Sequence, residues 1–354
     1  MAAEVLTFVE GGSVGRIRLN RPRSLHALTT AMCDAMIEAL LGWAADPAVT
    51  FILIDHAEGR GFCAGGDILM MSESGQRDGA LADGFFHSEY RLNHLLFTYP
   101  KPVISFMDGV VMGGGVGLAL PARWRIATEK CLFAMPEGEI GLFTDVGAGW
   151  YLSRLPGRVG AWLATTGARL GAADCVALNL ATHNVDAARI DELKQALVAR
   201  PDDAARLLDD FGTPTEPAPI EAMRPMIDRL FGSDRLEDIL AALEADGGEW
   251  AQAQLEIVRS RSPMSLKVSL RLIAEGKAMA DFADEMRTEY AVATRVVRSP
   301  DFTEGVRALL INKDRQPRWN PAEPADVTDA MIDRIFEPLP PGDAWTPLAI
   351  DERV

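Results

Sequence analysis

Residues 110–150 constrain this chain more than any other stretch. They read VVMGGGVGLALPARWRIATEKCLFAMPEGEIGLFTDVGAGW, and Gly113, Gly114 and Gly115 follow directly on a largely apolar run that begins at Pro102. An apolar run, a glycine cluster and an Ala/Leu-rich segment predict strand, tight turn and helix. Glycines at a helix start let a bound group approach the backbone and leave N–H donors pointing at it. Such donors suit an oxygen that gains negative charge during a reaction. Two acids, Glu137 and Asp145, follow in apolar, Gly-rich surroundings. Carboxylates so placed can activate a nucleophile or move protons. The ordinary alternatives are a close strand–helix contact, a loop carboxylate at Glu137, and a helix N-cap at Asp145 before VGAGWYLSRL.

A second glycine-rich loop lies upstream. Residues 51–54 form a short apolar strand, then come Gly59-Arg60-Gly61-Phe62-Cys63-Ala64-Gly65-Gly66-Asp67 and a helix from Ile68. Two such loops can each give one N–H to a shared acceptor. Neither is a nucleotide fingerprint: there is no G-x-x-x-x-G-K-[ST], and Leu118 stands where the third glycine of G-x-G-x-x-G belongs. Gly11, Ser13 and Gly15 match G-x-S-x-G, but a strand, RIRLN, follows where a nucleophile elbow needs a helix, so Ser13 is a turn serine.

Around these loops the pattern predicts a hairpin (5–10 and 14–19), helices at 28–45 and 83–99, and a strand at 103–107. Glu89 sits on the second helix, where a solvated helix acid is the plain reading. His183 falls in a short strand-like segment and reads as structural. From about Asp186 the strands stop and helical spacing takes over. The expected fold is α/β, with strands joined by helices as in stacked ββα turns over residues 1–185 and a mostly helical region over 186–354.

Composition removes several classes of function. The 354 residues carry a formal charge of −16, which argues against sequence-independent nucleic-acid binding and against docking on anionic membranes. An anionic small ligand needs only a local basic patch. Cys33, Cys63, Cys131 and Cys175 form no C-x-x-C pair and no metal-ligand spacing, so free thiols in a reducing compartment and no metal are expected. The first residues show no secretory or transit pattern and no run is long and apolar enough for a membrane span, so a cytoplasmic location is the expectation.

Together the segments LNRPRSLHAL, GFCAGGDI, PVISFMDGVVMGGGVGLAL, ATEKCLFAMPE, IGLFTDVGAGWYLSRLPG, LATHNVD, SPMSLKVSL and DFTEGVRALLINKDRQPRWNP resemble the crotonase superfamily of enoyl-CoA hydratases and isomerases. Within it the chain is similar to the 3-hydroxyisobutyryl-CoA hydrolase family over nearly its whole length, including a helical insertion after His183. The resemblance implies a crotonase-like spiral of ββα turns with a C-terminal helical region. It implies catalysis by Glu137 and Asp145 with an oxyanion hole from the amides of Gly66 and Gly114. Glu89 would line the acyl pocket with Gly114, Glu137 and Asp145. Arg21, Arg23, Leu25, Ala27, Ala64 and Gly66 would lie along CoA, and Asp67 would brace its loop. CoA is then part of the substrate, and no cofactor is implied.

Hydratases carry a catalytic glutamate three residues after Gly114, where this chain has Gly117. The implied activity is therefore thioester hydrolysis of 3-hydroxyisobutyryl-CoA in valine breakdown. The alternative is an enoyl-CoA isomerase or an atypical hydratase with Glu137 as its single base. A silent CoA- or RNA-binding crotonase is disfavoured by the intact loops and acids. Two positions depart from the hydrolase pattern: Thr144 replaces a frequent proline, and Gly138-Glu139 follows the MPE motif. Crotonases commonly form trimers and hexamers, so the resemblance allows a homo-oligomer.

Overall fold

A computed structural model describes residues 3–348. Strands β1 (Val5–Glu10) and β2 (Val14–Leu19) pair antiparallel as the expected hairpin. Each later turn of the chain then places one strand in each of two sheets. β3 (Phe51–His56), β5 (Val103–Met107), β7 (Trp124–Ala127) and β9 (His183–Asn184) extend β2 in parallel, in the order β1-β2-β3-β5-β7-β9. β4 (Gly61–Cys63), β6 (Val110–Met112) and β8 (Leu132–Ala134) form a smaller parallel sheet, β4-β6-β8. Parallel strands are covered on both faces, which is why 51–54 and 103–107 are apolar without alternation.

This two-sheet arrangement refines the expectation at two places. The apolar run from Pro102 is two strands, broken at Asp108-Gly109. Gly109 has φ +95, and a Cβ there would sit 2.2 Å from the Arg60 carbonyl oxygen. Only glycine lets the chain cross from the large sheet to the small one at that point. Likewise the loop at 59–67 contains β4.

The helices of the first half are α1 (Thr30–Ala45), α2 (Ile68–Gly75), α3 (Ala80–Phe97), α4 (Gly114–Ala119), α5 (Ala148–Leu152), α6 (Val159–Thr166) and α7 (Ala172–Ala177). Of the two threonines that could cap α1, Thr29 and Thr30, Thr29 does so by accepting the Met32 amide. The second half holds α8 (Ile190–Ala199), α9 (Ala204–Phe211), α10 (Pro219–Leu230), α11 (Leu236–Asp246), α12 (Glu249–Arg259), α13 (Pro263–Gly276), α14 (Phe282–Val296), α15 (Pro300–Val306) and α16 (Asp329–Phe336). No strand follows β9 among the described residues.

One face of the large sheet belongs to the main core, which runs from Ile17, Ile52 and Ile54 through Phe85 and Val146 to Leu270, Met286 and Trp345. The other face, with Leu53, Ile104 and Phe106, is covered by Ile190 and Leu193 of α8 and Leu207 of α9. The main core thus continues across residue 185. α13, α14 and α15 pack on α5, on α3 and on the 137–140 turn respectively, so the helical half forms part of the wall around the glycine loops.

Candidate active site

The two glycine loops leave two amides unspent. Leu28 pairs with Gly66 as an isolated parallel bridge: the Leu28 amide donates to the Gly65 oxygen (2.8 Å) and the Asp67 amide to the Leu28 oxygen (3.0 Å). In that pattern the Gly66 N–H points to the opposite side. Gly114 opens α4, so its N–H lies in the turn that lacks intrahelical acceptors. Neither amide donates to an acceptor among the described residues. The loops touch: a Cβ on Gly65 would lie 3.6 Å from the Gly114 nitrogen. A Cβ at either donor position would push on a side-chain tip that lines the cavity. A Cβ on Gly66 would stand 2.4 Å from Met71 Cε, and one on Gly114 would stand 2.2 Å from Glu89 Oε1.

Three carboxyl groups share the cavity these amides face. Glu89 comes from α3, Glu137 from a single 3-10 turn (Glu137–Ile140) after β8, and Asp145 from the loop before α5. Their relative exposures are 2%, 5% and 4%, so Glu89 is a pocket acid and the solvated reading is overturned. The cavity measures about 170 Å³, and Gly66, Gly114, Met71, Phe86, Met112 and Leu142 complete much of its wall. No Lys, Arg or His lines it among the described residues. Glu137 Oε1 lies 3.3 Å from where a Gly113 Cβ would be, beside the amide pair.

Burial without a counter-charge dominates the electrostatics. Burial, and then the charges of Asp145 and Glu137, push Glu89 well above the usual carboxylate range. Burial and Asp145 do the same to Glu137. Asp145 is raised by burial only to about 7, because the Tyr90 hydroxyl donates to its Oδ2 at 2.8 Å. Burial thus biases Glu89 and Glu137 toward the protonated form, and Asp145 is the first of the three to ionise. Glu89 Oε1 and Glu137 Oε2 have no partner among the described residues and remain available to a ligand or water.

The helix-cap reading of Asp145 is corrected by this geometry. Gly147 is the N-cap of α5, no side chain caps that helix, and the Asp145 carboxyl is engaged with Tyr90. Glu139 also reaches the cavity, but Arg261 neutralises it at 2.6 Å. At Gly117 the hydratase glutamate is absent and has no room. A Cβ there would lie 2.7 Å from Asn93 Nδ2 and 2.9 Å from Val146 Cβ.

Of the six positions expected along CoA, Ala64 and Gly66 line the cavity and the other four do not. Leu25 adjoins it through its carbonyl, which accepts the Ala64 amide at 3.0 Å. Arg21 is tied to Glu4 (3.1 Å), to Asp67 (3.5 Å) and to the oxygen of Ala27. Arg23 is exposed. Asp67 braces its loop through Arg21 and by capping α2. His183 bonds Thr182 and Asp209, as a structural histidine does. Sequence reasoning missed Tyr90 and Asn93. Both lie on the α3 face marked by Phe85, Phe86 and Leu92, so their burial was readable although their partners were not.

A second cavity shares Glu139 and Leu309 with the first and is lined by Arg169, Arg259, Arg261 and Arg315. Arg259 pairs with Glu244 and Arg261 with Glu139. Arg169 and Arg315 are exposed and form no ion pair among the described residues. This is a basic patch of the kind that a net-negative chain needs for an anionic ligand.

Comparison with known proteins assigns the family and the fold. The enoyl-CoA hydratase/isomerase family model matches residues 14–336. A 3-hydroxyisobutyryl-CoA hydrolase of Gallus gallus, named as mitochondrial, is 39% identical over 96% of this chain and 90% of its own. 3-Hydroxyisobutyryl-CoA hydrolase 1 of Arabidopsis thaliana is 39% identical over 95% of this chain and 93% of its own. Two solved structures match nearly end to end. One, titled a carnitinyl-CoA dehydratase from Mycobacterium thermoresistibile, has a TM-score of 0.92 and 38% identity over 99% of this chain and 100% of that one. The other, titled an enoyl-CoA hydratase from Rhodobacter sphaeroides, has a TM-score of 0.88 and 38% identity over 97% and 100%. The spiral of two-sheet turns is the crotonase fold, and the chain belongs to the enoyl-CoA hydratase/isomerase family.

Proposed function

We propose that this protein hydrolyses the thioester of 3-hydroxyisobutyryl-CoA to 3-hydroxyisobutyrate and CoA, a step of valine breakdown. One observation carries the reading. Glu137 and Asp145 share a buried cavity with two free amides, while position 117 has no space for the second glutamate of a hydratase. The names of the curated relatives support the same substrate.

In this reading the thioester oxygen accepts from the Gly66 and Gly114 amides, which stabilise the charge that develops there. Glu137, beside Gly113, faces the carbonyl carbon. Asp145, the first of the three to ionise, starts as the carboxylate and accepts the Glu137 proton as the charges shift in the reacting complex. Glu137 then removes a proton from water as the new C–O bond forms, or attacks the carbon itself to give an anhydride that a water molecule cleaves after the thiol has left, releasing the acid and the Glu137 carboxyl. The C–S bond breaks, and the departing sulfur takes the proton that Asp145 holds. Glu89, protonated, donates to the substrate hydroxyl. The phosphates of CoA reach Arg169 and Arg315. The relatives' names say mitochondrial, so the cytoplasmic expectation narrows to one statement: no helix among the described residues is long and apolar enough to cross a membrane.

A second reading draws on the titles of the two solved structures, which name water elimination and hydration. In it Glu137 is the single base of an isomerase or an atypical hydratase, and Asp145 has no role. A panel of acyl-CoA thioesters, followed by release of free thiol, separates the two. The hydrolase reading expects 3-hydroxyisobutyryl-CoA to be cleaved fastest, and Glu137→Gln to lower turnover by about a hundredfold or more. Rapid isomerisation of a 3-enoyl-CoA, with no thiol released from any hydroxyacyl thioester, would establish the second reading instead.

A further inference from the structure

The loop that carries Asp145 is held at both ends by the helical half of the chain. The Thr144 amide donates to Ser269 Oγ on α13 at 3.0 Å, a bond that proline at this position could not make. The Gly147 amide donates to Glu289 on α14, with the two carboxyl oxygens at 3.0 and 2.9 Å. Between these anchors Val146 has φ +57. That conformation is costly for a β-branched residue and persists only where the surroundings impose it. Local helix capping does not impose it, because α5 has no side-chain cap. The acceptor for its first free amide comes from 142 residues away.

Glu289 and Glu285 lie one turn apart on α14, and both are fully buried. Neither lines the reaction cavity. Burial raises both carboxyls, Glu285 to about 7. The charged and titratable groups around them are Asp145 from the loop, Tyr90 from α3, Tyr151 and Arg154 from α5 and the turn after it, and Glu275 from α13. A buried acid pair with so little cationic support is an expensive feature of a core. Glu289 interacts with Glu285 on its own helix, and its hydrogen bond to the catalytic loop is the one from the Gly147 amide, two residues from Asp145.

We propose that Glu289 is a positioning residue for Asp145. By accepting the Gly147 amide it imposes the left-handed turn at Val146 and so holds the Asp145 carboxyl against Tyr90 and the cavity. The proposal rests on the hydrolase reading for its kinetic consequences, and not for the clamp itself.

The experiment compares Glu289→Gln, whose amide oxygen still accepts, with Glu289→Leu, which has similar bulk and no acceptor. Hydrogen exchange of the peptide carrying Gly147, read without substrate, should be faster by about tenfold or more in the Leu variant than in the Gln variant. Thioesterase kcat should stay within about threefold of the parent in the Gln variant and fall about thirtyfold or more in the Leu variant, with KM little changed. Each change is then repeated in an Asp145→Asn background. Acting through Asp145, the Leu substitution should cost no more than about threefold there. The same fold-loss in both backgrounds would reveal a merely structural role and overturn the proposal, as would a Leu variant at parental kcat or one with unaltered exchange. If the Leu variant does not fold, a Gln variant as impaired as Asp145→Asn overturns it. A parent that hydrolyses no thioester defeats the function reading alone, and the exchange comparison still decides the clamp.

Discussion

Replacing Asp145 by Asn should stabilise the fold while it stops the reaction. The Asp145 carboxyl rises from 3.8 to about 7 on burial. A folded-state value above the unfolded one means that ionisation disfavours folding. The cost is absent below the unfolded value, grows as pH rises through the window between the two, and is complete above about 7. At 1.36 kcal/mol per pH unit, keeping Asp145 ionised costs the fold about 4 kcal/mol above pH 7. Asn carries no such cost. Its amide must re-form the bond with Tyr90, now with a neutral acceptor, and that loss is about 1 kcal/mol. A net gain of about 3 kcal/mol at pH 8 follows. The signature is in the pH dependence. Between about pH 5.5 and pH 7 the parent loses about 2 kcal/mol that the variant keeps. With about 2.1 cal/mol/K of unfolding entropy per residue, the gap in melting temperature should widen by about 3 °C over that interval. Paired calorimetric scans of parent and variant across the interval measure it, beside thiol-release assays that should show a loss of about a hundredfold or more. A variant less stable than the parent at pH 8, or a gap that does not move with pH, would refute the claim that Asp145 is held as a strained buried acid.

Position 117 and the arginine cavity give two further tests. Gly117→Glu should fail to create a hydratase and should lower the melting temperature, since even a Cβ meets Asn93 and Val146 and overpacking of this kind costs about 1–3 kcal/mol; a stable variant that hydrates crotonyl-CoA would show that the pocket does accept the second glutamate. Arg169→Gln combined with Arg315→Gln should raise KM for the CoA thioester about tenfold with kcat within about threefold. A truncated pantetheine thioester, which lacks the nucleotide phosphates, should be indifferent to the double change, and an equal effect on both substrates would remove the phosphates from that cavity.

Much of the fold was legible because its signals are local. The hairpin at 5–10 and 14–19 and the helix that begins at Thr30 lie close to where the spacing of apolar residues puts them. What sequence could not supply was the division of strands between two sheets. β4 and β6 are three residues each and glycine-flanked, too short for a periodic signal, so they merged into a loop and into the longer run from Pro102. The terminal helices α15 and α16 were also unread, since α15 runs into a π segment, Arg307–Ile311, and α16 stands beyond a proline-rich break.

The site divides along the same physical line. Backbone donors were readable, because glycine clusters after strands announce them. Acids were readable as candidates, and their environment was not. Glu89 falls four residues after Phe85 and three before Leu92, which already placed it on the buried face of α3, yet a lone acid on a helix is ordinarily solvated. What makes it a pocket acid is that Gly114, a residue of another element, has no Cβ to exclude it. Asp145 shows the complementary case. Its sequence context, an acid ahead of a helix, predicts a cap, and the cap is lost because Tyr90 and Glu289, both distant in sequence, take over the carboxyl and the helix amide. Asn93 carries the argument one step further. It is fully buried with both amide atoms unpartnered among the described residues, and it faces the space above Gly117. The volume into which a hydratase would extend a glutamate is therefore occupied by a neutral amide. In the proposed reading the second acid therefore stands at 145 and not at 117, under the Tyr90 hydroxyl, while the free amides of Gly66 and Gly114 keep their places as oxyanion donors.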